Sequence, residues 1–248
     1  MFSIHPQFAR RRALLGLCLT SLMGWHLPAH AALTMSTTRV IYDGERRSVS
    51  LLVANPSKNA FAVQAWVNTP QDDTVSVVPF VTSPALFRLD PAKQQQVQIN
   101  GLPNDLPGDR ESLFYFNVQE IPQLDPEQKN VLAVALRTRI KVFYRPPTLQ
   151  GGPSQLHDML GWSLVENGGK RRLAVDNPTP YHVTFGVLNV LDKGAVHKLD
   201  GGQMLAPLGR HYYDLPAAVS ASAQLEFNTI NDYGANSKTL TVPVAMGN

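Results

Sequence analysis

"NVLAVALRTRIKVFYRP", residues 130–146, runs sixteen residues from Asn130 to Arg145 without a Gly, a Pro or an acid before Pro146 ends it. Its first half alternates Leu132, Val134 and Leu136 against Val131, Ala133 and Ala135, and its second half carries Arg137, Arg139, Lys141 and Arg145. Alternation at a period of two is the mark of a β-strand, with successive side chains on opposite faces. A strand is typically only ~5–6 residues long, so much of this run exceeds what an ordinary sheet needs. The surplus length requires a use, and the cations require partners.

The same period extends in both directions. Ser48–Val53, Ala62–Val67, Gln95–Ile99, Leu113–Val118, Arg172–Val175, Val183–Val190 and Thr239–Val244 are short, β-branched or aromatic, and bounded by Pro, Gly, Asn and Asp. No window holds an amphipathic helix of three turns, so the chain reads as all-β. The stretch "RPPTLQGGP", residues 145–153, joins two Pro-rich ends through a Gly pair, which is linker chemistry. It separates residues 32–145 from residues 154–248, with 146–153 as the linker. Each part has the size of one immunoglobulin-like β-sandwich.

Residues 1–31 read as a secretory signal peptide. Arg10, Arg11 and Arg12 precede a largely apolar run over residues 13–27, and Ala29 and Ala31 supply the small residues of a cleavage site after Ala31. The run is too short, and too broken by Thr20, Ser21 and His26, for the ~20 apolar residues of a membrane span. Leu17 stands where a lipoprotein site at Cys18 would need a small residue. Processing removes the sole cysteine and three arginines, leaving 19 basic and 19 acidic residues. The sandwiches must then hold without disulfides, and the balanced charge gives no reason to expect nucleic acid as a partner. Export without membrane insertion is the expectation.

Catalytic chemistry is not evident. Outside the signal segment the four histidines, His157, His182, His197 and His211, have no metal-ligand spacing, and there is neither a Gly-x-Ser-x-Gly elbow nor a Gly-rich phosphate loop. No enzymatic activity, metal or cofactor is expected.

Residues 106–122, "LPGDRESLFYFNVQEIP", resemble the signature segment of the periplasmic chaperones that assemble pili and fimbriae by the chaperone–usher route. "TRVIYDG" (38–44), "FRLDPAKQQQVQI" (87–99), "DNPTPYHV" (176–183) and "FNTINDYGA" (227–235) resemble further segments of that family in the same order, as does the stretch at 130–146. The resemblance implies two immunoglobulin-like sandwiches set in an L around a cleft. It also implies partners: pilus or fimbrial subunits and an outer-membrane usher, with self-association of the free protein left open.

Within that resemblance the long strand has a use. A subunit lacking its last strand would receive Asn130, Leu132, Val134 and Leu136 in its open groove, a mode known as donor-strand complementation. Each fully buried apolar side chain is worth ~1.5–3 kcal/mol, so the three larger ones supply roughly 5–9 kcal/mol before ordering costs. The resemblance assigns Arg39 and Lys141 to an anchor for the subunit's terminal carboxylate, and Glu111, Arg145 and Asp232 to an ion network between the domains. Lys141 has the opposite parity to Leu136, so a bulge or change of facing is expected between them. Arg137 and Arg139 match no anchor position and read as solvated. The loop at 122–129 is short, which resembles the branch serving rod-like pili. A secreted two-domain immunoglobulin-like adhesin or binding protein is the other reading; it would share the fold but make no use of Arg39 and Lys141.

Overall fold

The computed structural model describes residues 33–73, 75–121, 134–149, 156–167, 170–216, 219–220 and 222–246. Residues 1–31, expected from sequence to be a signal peptide, the loop at 122–129, Asn130, Leu132 and linker residues 150–153 lie outside the described residues. Nine strands come from the first half of the chain: β1 (Thr34–Met35), β2 (Arg39–Asp43), β3 (Ser48–Ala54), β4 (Phe61–Asn68), β5 (Phe80–Ser83), β6 (Leu86–Leu89), β7 (Gln94–Gly101), β8 (Ser112–Ile121) and β9 (Arg137–Arg145). They form a sheet of order β1-β3-β7-β5 and a sheet of order β2-β9-β8-β4-β6. The period-two pattern does the sorting. In β7, Val97 and Ile99 are fully buried while Gln96 and Gln98 face out, and in β3 Leu51 and Val53 point inward while Ser50 and Leu52 do not. The inner faces close on Phe116, Val63, Val118 and Val142.

The second half begins with a single helical turn, α1 (Leu156–Met159), followed by β10 (Gly161–Asn167), β11 (Lys170–Asp176), β12 (Phe185–Asp192), β13 (Ala195–Lys198), β14 (Arg210–Asp214), β15 (Gln224–Thr229), β16 (Leu240–Pro243) and β17 (Ala245–Met246). Its sheets run β14-β11-β10-β17 and β13-β12-β15-β16. A separate core fills the space between them, with Leu164, Leu173, Leu225 and Phe227 fully buried. The chain therefore forms two all-β, immunoglobulin-like sandwiches.

Two features of the first sandwich position the site. Its opening strand changes sheets: β1 pairs antiparallel with β3, whereas β2 crosses over and pairs in parallel with β9. Parallel register then sets Arg39 beside Lys141 and Asp43 beside Arg145. The second feature concerns β9 itself. Its pairing with β8 is continuous from Arg137↔Gln119 to Tyr144↔Ser112, and Glu120 N–H donates to Leu136 O at 3.0 Å to carry the ladder one residue further.

Of the bulge or change of facing expected between Leu136 and Lys141, no bulge is present over the described part of the strand. The two residues simply occupy opposite faces: Ile140 and Val142 continue the parity of Leu136 into the core, while Lys141 shares the outer face with Arg137, Arg139 and Phe143. Val134 and Leu136 precede the strand and are 54 % and 44 % exposed. Apolar side chains on this parity therefore continue the core pattern past the edge of the sandwich.

Because the two cores are built from different residues, Phe116→Ala should destabilise the first sandwich by ~3–5 kcal/mol, the usual cost of emptying a buried aromatic site. Urea unfolding followed by probes in each sandwich checks this. A loss confined to the second-sandwich probe would contradict the assignment of the cores.

Candidate functional site

Between the sandwiches lies a cleft of about 380 Å³, lined from the first by Arg39, Glu111, Phe143 and Arg145 and from the second by His182, Thr184, Ile230, Asp232 and Tyr233 among others. Lys141 reaches the same region, its Nζ donating to Thr184 Oγ1 at 3.4 Å. The sheet crossover of the opening strand brings Arg39 there: Thr37 Oγ1–H donates to the Arg39 carbonyl at 2.6 Å, and one Arg39 guanidinium nitrogen donates to Ile230 O at 3.4 Å. Arg39 Nε is buried and has no hydrogen-bond acceptor among the described residues.

The electrostatics of this pair are unfavourable. Burial lowers the pKa of the Arg39 guanidinium, and Asp232 offsets this only in part. Burial, and then the neighbouring Arg39 charge, holds the Lys141 ammonium below the usual lysine range. Among the described residues neither side chain has an ion-pair partner within 4.0 Å. Two partly desolvated cations side by side favour an anion, and a guanidinium fork next to an ammonium suits a carboxylate.

A few residues away the charges are matched. Arg145 Nε donates to Glu111 Oε1 at 2.7 Å, and its two terminal nitrogens donate to both oxygens of Asp232 at 2.8 and 2.7 Å. The second oxygen of Glu111 accepts from His182 N–H at 2.8 Å and lies 3.1 Å from His182 Nδ1. Glu111 N–H in turn donates to Pro180 O at 2.9 Å. The carboxylate of Glu111 is 2 % exposed, that of Asp232 32 %. Burial works against charge on Arg145, but its hydrogen bonds and attraction to Asp232 and Glu111 prevail and raise its pKa above the ordinary arginine value. The structure thus brings Glu111, Arg145 and Asp232 together across the sandwiches. Sequence reasoning missed His182, although it lies within the quoted "DNPTPYHV".

The loop from Ile230 to Asn236 completes the cleft. Asn231 Oδ1 accepts from the Tyr233 and Ala235 amides, both at 3.0 Å, and Gly234 N–H donates to Asn231 O at 3.0 Å. Gly234 has φ = +82°, in the region that favours glycine, and a β-carbon there would collide with Thr38 Oγ1 of the first sandwich. The residues "NDYG" are themselves turn-forming, a local signal that could have located this loop.

Arg137 is exposed and Arg139 half-buried, and both make contacts beyond solvent. Arg139 lies over the Tyr115 ring at 3.8 Å and donates to Thr69 O at 2.6 Å; Arg137 lies over Trp66 at 5.2 Å, donates to Asn117 Oδ1 at 3.0 Å and pairs with Asp72. They fasten the chain after β4 to the outer face of β9. Val134 and Leu136 are exposed, while Asn130 and Leu132 lie outside the described residues.

Family models place these features. Residues 32–150 match the N-terminal domain of the PapD pili and flagellar-assembly chaperones, and residues 155–241 match the C-terminal domain of PapD pili-assembly chaperones. The chain belongs to this family of pilus-assembly chaperones. It is 39 % identical over 214 residues, 84 % of this chain and 86 % of the relative, to a probable fimbrial chaperone, LpfB, of Escherichia coli O157:H7. The crystal structure of the YadV chaperone superposes with a TM-score of 0.74 at 34 % identity, covering 86 % of this chain and all of that one. A Salmonella enterica structure of the SafA pilin in complex with the SafB chaperone matches with a TM-score of 0.72 at 27 % identity, covering 86 % and 96 % of the two chains. Among the described residues no helix is long and apolar enough to cross a membrane.

Removing Arg145 leaves the buried Glu111 carboxylate without its main cation, so Arg145→Ala should cost ~3–5 kcal/mol in chemical unfolding. Asp232 keeps more solvent, and Asp232→Ala should cost far less, about 1 kcal/mol. Equal losses for the two variants would contradict the asymmetry in burial.

Proposed function

We propose that this chaperone works in the periplasm, where it takes up a pilus or fimbrial subunit by donor-strand complementation and passes it to an outer-membrane usher. The observation that carries the reading is the Arg39–Lys141 pair: two partly desolvated cations held side by side in a cleft, without an ion-pair partner among the described residues. In this reading they grip the subunit's terminal carboxylate, and that grip fixes the register in which Asn130, Leu132, Val134 and Leu136 meet the subunit's groove. The exposure of Val134 and Leu136, on the parity that continues the core, supports the donated face. The SafB relative, solved with a pilin, supports a subunit as the partner. Glu111, Arg145 and Asp232 fix the cleft that holds the chain end. An adhesin of the same fold would give the unmatched pair no role.

Co-expression with a pilus subunit and a periplasmic pull-down tests the anchor. Arg39→Ala and Lys141→Ala each leave a carboxylate half paired in the cleft, so capture should fall at least about a hundredfold for a loss of ~3–5 kcal/mol. Arg210→Ala, which removes an exposed cation paired with Asp176, should capture normally. Equal, mild losses in all three would point to general electrostatic attraction instead.

Leu136→Glu tests the donated face separately. The side chain is already 44 % exposed, so the free protein should keep its melting temperature, while an unpaired charge bars entry to an apolar groove. Undiminished subunit recovery would remove Leu136 from the interface; a large drop in melting temperature would make it core.

A further inference from the structure

Tyr233 lines the cleft yet is 93 % exposed. Its neighbours on the loop are all engaged: Asp232 holds Arg145 through two hydrogen bonds, Ile230 O accepts from Arg39, and Gly234 closes against Thr38. The Tyr233 amide is itself bonded to Asn231 Oδ1 at 3.0 Å. An aromatic side chain carried on so constrained a backbone loses little freedom when a partner arrives, and aromatic anchors of this kind concentrate binding energy. Among the described residues no ion pair, ring contact or side-chain hydrogen bond engages the ring.

We propose that Tyr233 is a specificity-determining contact for the subunit's carboxy-terminal segment, receiving the bulky apolar or aromatic side chain nearest the terminal carboxylate. This rests on the carboxylate anchor proposed above. Arg39, bonded to the base of the same loop, holds the chain end, and an extended chain advances only ~3.3 Å per residue, so the ring reads the last few residues and nothing further. The anchor demands a free chain end of any sequence; the ring adds selection among chain ends.

The test uses the processed full-length protein and fluorescein-labelled peptides copied from the carboxy-terminal strand of a pilus subunit. The peptides come as free acid or amide, and with the bulky residue nearest the end kept or replaced by Ala. Fluorescence anisotropy should show Tyr233→Ala binding the unmodified free acid about two- to tenfold more weakly, the range of one aromatic contact. It should bind the Ala-substituted peptide like the unaltered protein, and Tyr233→Phe should restore affinity. If Tyr233→Ala binds every peptide like the unaltered protein while Arg39→Ala still fails, the anchor stands and the role of Tyr233 is overturned. Equal weakening toward both peptides would overturn it too, since that would be a change in the loop. If the amide binds as well as the acid and Arg39→Ala binds normally, the anchor fails and the ring's role falls with it.

Discussion

The parallel pairing of β2 with β9 is the constraint on which the cleft depends. Parallel strands cannot be joined by a hairpin, so Arg39 and Lys141 come from opposite ends of the first sandwich's sequence and meet only because the opening strand changes sheets. Once they meet, the arrangement is electrostatically costly in the free protein. Burial and mutual repulsion depress the Lys141 ammonium, and Arg39 Nε is buried without an acceptor among the described residues. A site that carries this much unfavourable charge is poised for an anion to relieve it.

The ion network beside the pair has the opposite character. Arg145 is matched by two carboxylates and its charge is favoured despite burial. Buried ion networks contribute less to net stability than their bond count suggests, because desolvation offsets attraction. What they add is direction: a bidentate pair tolerates one geometry, and here it ties the linker end of β9 to the loop that carries Ile230 and Tyr233. Gly234 closes the same contact sterically against Thr38. The unmatched cations therefore sit in a cleft whose walls are fixed by matched ones.

Much of the fold was legible in the sequence because strand burial obeys a period of two. The segments Ser48–Val53, Gln95–Ile99 and Leu113–Val118 lie within strands that run one to several residues longer. Strands β5, β6 and β13, four residues each, are too short for alternation to register. The identity of Arg39, Lys141, Glu111, Arg145 and Asp232 as candidates came from resemblance, since spacing along a chain cannot say that residue 39 lies beside residue 141. Neither a bulge nor a change of facing was needed between Leu136 and Lys141, because opposite parity requires no irregularity when two groups serve opposite faces. The contacts of Arg137 and Arg139 were not legible because a charge in an alternating strand ordinarily meets only solvent, and only the fold shows that Trp66 and Tyr115 lie beneath them.

The central claim is that a carboxylate completes the Arg39–Lys141 pair, and proton linkage tests it most directly. With the Lys141 pKa depressed in the free protein, part of the population lacks that proton at alkaline pH, and a bound carboxylate raises the pKa again. Titration calorimetry of a free-acid subunit peptide in buffers of different ionisation enthalpy, at a pH just below the ordinary lysine value, measures the protons exchanged on binding. Net proton uptake that disappears in Lys141→Ala is the expected result. Binding with no proton uptake, or uptake unchanged in Lys141→Ala, would contradict it.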